Sequence, residues 1–263
     1  MTKIAVLIPT YKPQSYFERC LLSLEMQTLN KDDFCVYIAL NGPKDKYESY
    51  IKSLLNKFNF NYKYIYLDKA GVSNARNKLI DISYEPFLSF VDDDDLLSEN
   101  FLKNTLAKAD ENFIVCSNTY NFENDLKDLK PNFMGEAFKK MSDEELSKYK
   151  SRKFFSAASA KLIHRNLVAT TRFDTRLDMG EDSLFMAELS LRVKGIRKTD
   201  KSTCYYVYER PNSASRDKVN KWKEFKRINY LLYKYIFMFF GKYDKVFILT
   251  RMVATILYVR RLM

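Results

Sequence analysis

The chain has 263 residues, 46% hydrophobic and 15% aromatic, which suits one globular domain or a domain with an appendage and excludes a low-complexity or repeat protein. His164 is its one histidine, and the spacing of Cys20, Cys35, Cys116 and Cys204 fits neither a zinc pattern nor a redox pair, so the cysteines are expected as reduced core residues and any metal must be held by oxygen, as magnesium or manganese are. The net charge of +11 is uneven: residues 217–263 hold 7 Lys and 4 Arg against 2 Asp and 1 Glu, a net of +8, which leaves +3 for residues 1–216.

In chain order, an apolar run over 4–8 predicts a strand, closed by Pro9-Thr10. It is too short for a secretory signal, so the chain is expected in the cytoplasm. A helix follows over 15–27, carrying Phe17, Leu21, Leu24 and Met26, and a strand over 34–40. A helix over 47–58 carries Ile51, Leu54 and Leu55 and leads to a strand over 62–67. Then come a helix over 72–82, a strand over 87–91, a helix over 100–109 and a strand over 113–116. Residues 123–150 are polar and without clear period, and read as a long loop, a candidate lid. A helix over 182–193 and a strand over 203–207 complete residues 1–216. Residues 218–240 and 243–263 read as two helices parted by Gly241.

Strand and helix alternating about every thirty residues imply βαβ units, hence an α/β fold with a mostly parallel sheet flanked by helices. In such sheets ligands bind beyond the carboxyl ends of the strands. Three polar clusters fall there: Pro9-Thr10-Tyr11, Asn41-Gly42 and Asp92-Asp93-Asp94-Asp95.

Each cluster admits a plain reading beside a functional one. Pro9-Thr10-Tyr11 either cups a nucleobase or is a turn in which Thr10 or Ser15 caps the next helix. Asn41-Gly42 is either a reader of a base edge or a simple turn. Arg76, early in its helix, either holds phosphate or is a solvated cation. Four acids in a row repel one another at the end of a buried strand, which points to a cation there; the plainer reading is an acidic loop before a helix. Residues two apart in an extended segment share a face, which groups Asp92 with Asp94. Glu181-Asp182 after Gly180 either complements a helix dipole or supplies a base. His164 is assigned no role.

Taken together, Val6-Leu7-Ile8-Pro9-Thr10-Tyr11 with Leu24-Glu25-Met26-Gln27-Thr28, Asn41-Gly42, Ala70-Gly71-Val72-Ser73-Asn74-Ala75-Arg76-Asn77, Phe90 to Asp95, Gly180-Glu181-Asp182 and Tyr208-Glu209-Arg210-Pro211-Asn212-Ser213 resemble the family 2 inverting glycosyltransferases over residues 3–216. The resemblance implies the Rossmann-like GT-A fold and a nucleotide-diphosphate sugar donor. It implies that Pro9, Thr10, Tyr11 and Asn41 bind base and ribose, with Leu40 and Pro43 departing from the family's usual residues, and that Arg76 meets the pyrophosphate or base. Asp92 and Asp94 would meet the nucleotide, Asp94 and Asp95 the metal, Mn2+ or Mg2+, and Asp182 would be the general base. Arg210, Ser213 and Arg216 would close over the diphosphate.

The function expected is therefore transfer of a sugar, from a UDP-linked donor, to a hydroxyl of a bacterial surface glycan or its lipid-linked precursor. Two alternatives stand beside it. A nucleotidyltransferase on a similar fold would carry a Gly-rich loop after the first strand, where this chain has Pro9-Thr10-Tyr11-Lys12-Pro13. A non-catalytic membrane-tethering module would bind vesicles without turnover. Residues 217–263 read as a basic amphipathic hairpin on an anionic membrane, peripheral on the inner face of the cytoplasmic membrane; the competing reading packs it on the catalytic domain. No nucleic-acid motif is present, and the sequence is silent on oligomeric state.

Overall fold

The computed structural model describes residues 2–210 and 221–259. Its central layer is an eight-stranded sheet. β1 (Ile4–Thr10) and β2 (Phe34–Asn41) are buried along their whole length, as strands covered on both faces must be. α1 (Ser15–Glu25) joins them, and α2 (Asp45–Leu55) leads to β3 (Asn61–Leu67). α3 (Val72–Ile82) leads to β4 (Phe87–Phe90). Then follow β5 (Leu96–Leu97), α4 (Phe101–Ala107), β6 (Phe113–Cys116) and β7 (Asn118–Phe122). β8 (Lys130–Pro131), α5 (Phe133–Lys140) and β9 (Glu144–Glu145) precede β10 (Lys161–His164) and α6 (Arg165–Val168). α7 (Glu181–Leu189), β11 (Gly195–Lys198), β12 (Cys204–Tyr208), α8 (Lys221–Phe240) and α9 (Lys245–Val259) complete the described chain.

The large sheet runs β3-β2-β1-β4-β10-β6-β11-β9, and a smaller one runs β5-β12-β7-β8. β3, β2, β1 and β4 are mutually parallel, while β10 runs antiparallel between β4 and β6. The expectation of a mostly parallel α/β sheet between helices holds, with β10 reversed at its centre and β9 reversed at its edge.

Successive side chains of a strand point to opposite faces, and β1 divides accordingly. Ala5 and Leu7 join a core with α3, α7, α8 and α9, whereas Ile4, Val6 and Ile8 join a core with α1, α2 and α4. β3 lies at the edge, and its outer half is exposed, with Tyr62 and Lys63 turned to solvent as edge strands require.

One expectation is corrected. Residues 123–150 are not one long loop: they hold β8, α5 and β9. Asn132 caps α5 by accepting from the Met134 and Gly135 backbone amides, and Met134 and Phe138 anchor the helix in the interior. Eight residues show too little of a helical period to stand out in a polar stretch. The C-terminal helical hairpin is present, as expected, and its inner face packs on the rest of the chain, as the competing reading had it. Leu231, Tyr235 and Met238 of α8 and Phe247 and Ile248 of α9 are buried in the same core as α7. At about 1.5–3 kcal/mol for each buried large apolar side chain, this packing far exceeds any surface charge effect. The four cysteines are buried and free, as expected.

Candidate active site

Parallel register brings the clusters together. Leu7 pairs with Phe90, so three residues on, Thr10 stands level with Asp93, and the Thr10 hydroxyl donates to Asp93 Oδ2 at 2.5 Å. Thr10 pairs with Leu40, so Asn41 follows beside it. The three strand ends thus meet at one edge.

The Tyr11 ring lies against Gly42 with 48% of the residue exposed. Gly42 has φ +106°, and a Cβ there would come within 2.6 Å of that ring. Glycine is required twice over, by conformation and by contact, and what it creates is an open aromatic platform. Pro9, buried in β1, places Thr10 and Tyr11 at the strand end.

Asn41 is held at both ends of its side-chain amide. It is buried, its Nδ2 donates to the Thr10 carbonyl at 2.8 Å, and its Oδ1 accepts from the Gly71 amide at 2.9 Å. The side-chain amide matches two backbone groups left open where β1 ends and α3 begins, so it braces the platform.

Arg76 is held by acids from two directions. Its buried guanidinium sits among three carboxylates: Nη1 reaches Asp182 Oδ1 at 2.7 Å and Glu181 Oε1 at 3.3 Å, and Nη2 reaches Asp92 Oδ1 at 2.7 Å. Burial works against its charge, but Asp182, Asp92 and Glu181 more than offset that and hold it above its ordinary pKa. It is thus a tie between the acidic strip and α7, and it offers phosphate no open face.

The four acids take four roles. Asp92 accepts from Arg76 and remains the most open. Asp93, held by Thr10, is pushed up to about 7 by burial and by neighbouring Asp94. Asp94 is raised to about 6 by burial and Asp92, while its Oδ2 lies 2.7 Å from Arg210 Nε. Asp95 is buried, accepts from the Tyr208 amide at 2.9 Å, and is held well above the ordinary carboxylate range by burial and Asp94. Its carboxylate, expected at the metal, here ties the strip to β12.

The fit of a divalent cation rests on Asp92 and Asp94. They are hard oxygen donors, and the charge of Asp92 raises the cost of ionising Asp94. A dication beside them would relieve that repulsion. Among the described residues no cluster of three or more His, Cys, Asp or Glu forms a closed metal cage, so the remaining ligands would come from a diphosphate or water.

Asp182 opens α7 behind Gly180, whose φ is +83°. Its Oδ1 is held by Arg76, and its Oδ2 accepts weakly from the Ala158 amide at 3.4 Å. Burial raises its pKa against the pull of Arg76, and burial with Asp182 raises Glu181 to about 7. One guanidinium therefore spans from the strip to Asp182.

The sequence missed the supports around this pair. Tyr205 places its hydroxyl on the Asp92 amide at 3.1 Å. Buried Lys161 donates to the Ser159 carbonyl at 2.9 Å, and burial lowers its pKa. Behind α7, Ser183 Oγ contacts Tyr235 Oη at 2.9 Å and accepts from Arg251 at 3.0 Å, and Arg227 donates to the Met179 carbonyl at 3.1 Å. None is marked by spacing; they are distant in sequence and meet only in the fold. Arg210 stacks over the Tyr16 ring, 4.8 Å from its centre. Ser213 and Arg216 lie outside the described residues. His164 caps α6 by accepting from the Asn166 amide, a structural task.

The family description "Glycosyl transferase family 2" matches residues 5–171. The chain is 24% identical over 212 residues to poly(ribitol-phosphate) beta-N-acetylglucosaminyltransferase TarS of Staphylococcus aureus (strain MW2), covering 80% of this chain and 36% of that protein. It spans about a third of the length of the curated relatives it matches. Among solved structures, S. aureus TarS 1–349 in complex with UDP-GlcNAc superposes with a TM-score of 0.79 at 22% identity, over 97% of this chain and 72% of that one. The mannosyltransferase PcManGT of Pyrobaculum calidifontis, in complex with GDP-Man and Mn2+, gives 0.67 at 14% identity, over 97% and 69%. At these identities the likeness establishes the fold, which is GT-A.

Proposed function

The chain belongs to glycosyl transferase family 2, and on that premise we propose that it moves a sugar from a UDP-linked donor, with inversion, to a hydroxyl of a bacterial surface glycan or its lipid-linked precursor. The observation that carries the reading is the Arg76 tie, which holds Asp182 one guanidinium away from the acidic strip. A base for the acceptor and an anchorage for the donor's phosphates are thereby set side by side. The UDP-GlcNAc complex of the TarS structure supports the donor class, and the names of the TarS relatives support a wall-polymer acceptor.

The Tyr11 platform takes the base, and the open carboxylate of Asp92 lies where ribose hydroxyls can donate. Asp182 accepts the proton of the acceptor hydroxyl through Oδ2 as that oxygen attacks the anomeric carbon. The bond from that carbon to the diphosphate oxygen breaks, and its electron pair leaves with UDP, so one displacement inverts the centre without an enzyme nucleophile. Asp94, with Asp92, would hold Mn2+ or Mg2+, which when bound supplies positive charge for the departing diphosphate. Arg210, now on Asp94, has the side-chain reach to follow the phosphates instead. The enzyme works from the cytoplasm, peripheral on the inner face of the membrane.

The test is UDP release from a panel of nucleotide sugars with manganese, with and without a polyol-phosphate acceptor. Turnover should vanish with EDTA and return with Mn2+. Asp182→Asn should lower kcat by about 10²–10⁴-fold with donor KM unchanged. EDTA-insensitive turnover would remove the metal, and a full-rate Asp182→Asn would remove the base.

A further inference from the structure

α8 carries two apolar stripes on opposite faces. Ile228, Leu231, Tyr235 and Met238 point into the core, a spacing of three to four residues. Trp222, Phe225, Tyr233, Ile236, Phe237 and Phe240 repeat with the same period and are exposed, Trp222 at 66%, Phe237 at 76% and Phe240 at 82%. α9 repeats the pattern outward with Val246, Leu249, Val253, Ile256 and Leu257. Large apolar residues bared in helical register on both arms of a hairpin, aromatic on α8 and aliphatic on α9, exceed the scattered apolar exposure normal to a protein surface.

Cations accompany the stripe. Lys221, Lys226 and Lys242 are exposed and pair with no acid among the described residues, and Lys226 lies over the Trp222 ring at 5.5 Å. Residues 217–263 carry a net +8, the largest share of the chain's charge. No described helix is long and apolar enough to cross a membrane. An apolar stripe edged with lysines, on a helix anchored by its other face, matches a surface of acyl chains beneath anionic headgroups.

We propose that the outer face of the α8–α9 hairpin docks the enzyme on an anionic lipid surface, with the turn-proximal Phe237, Phe240 and Val246 entering the headgroup layer while the inner face stays packed on the catalytic domain. Its use rests on the proposed lipid-linked or membrane-proximal acceptor; the binding itself does not. The docking is built into the core, because α8 also supports α7 through the Tyr235 contact to Ser183. The surface that meets lipid is therefore one helix thickness from the helix bearing Asp182.

The chain has one tryptophan, and it lies on this stripe, so it reports directly. The intact protein is mixed with unilamellar vesicles of phosphatidylcholine alone or with phosphatidylglycerol, and sedimentation is read beside Trp222 emission. The expected result is a partition coefficient at least tenfold higher on the anionic vesicles, falling with added salt, with emission shifted to the blue. Phe237→Glu with Phe240→Glu should lower it at least tenfold at unchanged melting temperature and unchanged donor turnover. The proposal is overturned by equal partition on both vesicles, by wild-type binding of the double variant, or by a blue shift that needs only protein concentration and accompanies dimer formation without lipid. No binding of the wild-type protein to anionic vesicles while its turnover persists would sink the docking alone; wild-type binding without turnover on any donor would sink the glycosyl transfer alone.

Discussion

Arg76 shows how much one side chain decides. Nothing in its position, five residues after Gly71, separates a phosphate ligand from a buried tie, because the difference lies in where Asp92 and Asp182 arrive from elsewhere in the chain. Replacing it with methionine leaves three carboxylates crowded without a counter-ion, and loss of one partner of a buried ionic cluster costs about 3–5 kcal/mol. Arg76→Met should therefore lower the melting temperature markedly, and Glu181→Gln added to it should recover part of the loss, which differential scanning fluorimetry of the two variants would reveal. Glu181 also sets a pH response. Its carboxyl is raised from 4.5 to about 7 in the fold, so between those values the folded chain binds more protons than the unfolded one. Its contribution to stability therefore falls as pH rises from about 4.5 to 7 and is level above that. Denaturant titrations across this window should show a decline that Glu181→Gln reduces, by on the order of 3 kcal/mol in total.

Among elements, those repeating a clear period were legible from residue order alone. The strand over 113–116 and the helix over 72–82 coincide with β6 and α3, and β1, β2 and β4 differ from expectation only at their ends. β7, β10 and β11 were not, since four or five residues such as Lys161-Leu162-Ile163-His164 show no decisive alternation and are defined by their neighbours. The start of α7 was legible because two acids follow a glycine there. Asp93 was passed over because its partner, Thr10, is 83 positions away. The β2–α2 turn supports a sharper test. Gly42→Ala places a methyl group against the Tyr11 ring in a backbone region that disfavours it, at about 1–3 kcal/mol in stability. Its effect on turnover should be a donor KM raised roughly tenfold, the equivalent of about 1.4 kcal/mol of stacking, with kcat near normal. Steady-state kinetics with varied UDP-sugar would show the split, and an unchanged KM would remove Tyr11 from the base site.

For the whole molecule, the boundary at 216/217 divides charge but not structure. The hairpin's inner face belongs to the core that holds α3 and α7, so a chain ending at residue 216 loses Leu231, Tyr235, Met238, Phe247 and Ile248 from that core. Such a truncation should be insoluble or bind the dye ANS strongly, and should lack turnover even though every proposed catalytic side chain is retained; a soluble, active 1–216 fragment would show the hairpin to be dispensable. A milder cut is Tyr235→Phe, which removes one hydroxyl from Ser183 at about 1 kcal/mol. It should lower kcat while leaving donor KM unchanged, because it loosens the helix that presents Asp182 and leaves the strand ends alone.

That Arg251 and Tyr235 grip Ser183 has an implication for biosynthesis. During translation the catalytic residues through Asp182 emerge first, yet the props behind their helix arrive only some fifty to seventy residues later. A nascent chain stalled before residue 221 would carry a complete set of reactive groups and still be idle, so competence should switch on late, as the hairpin clears the ribosome. Nucleotide-sugar turnover by ribosome-bound chains of graded length would time that moment.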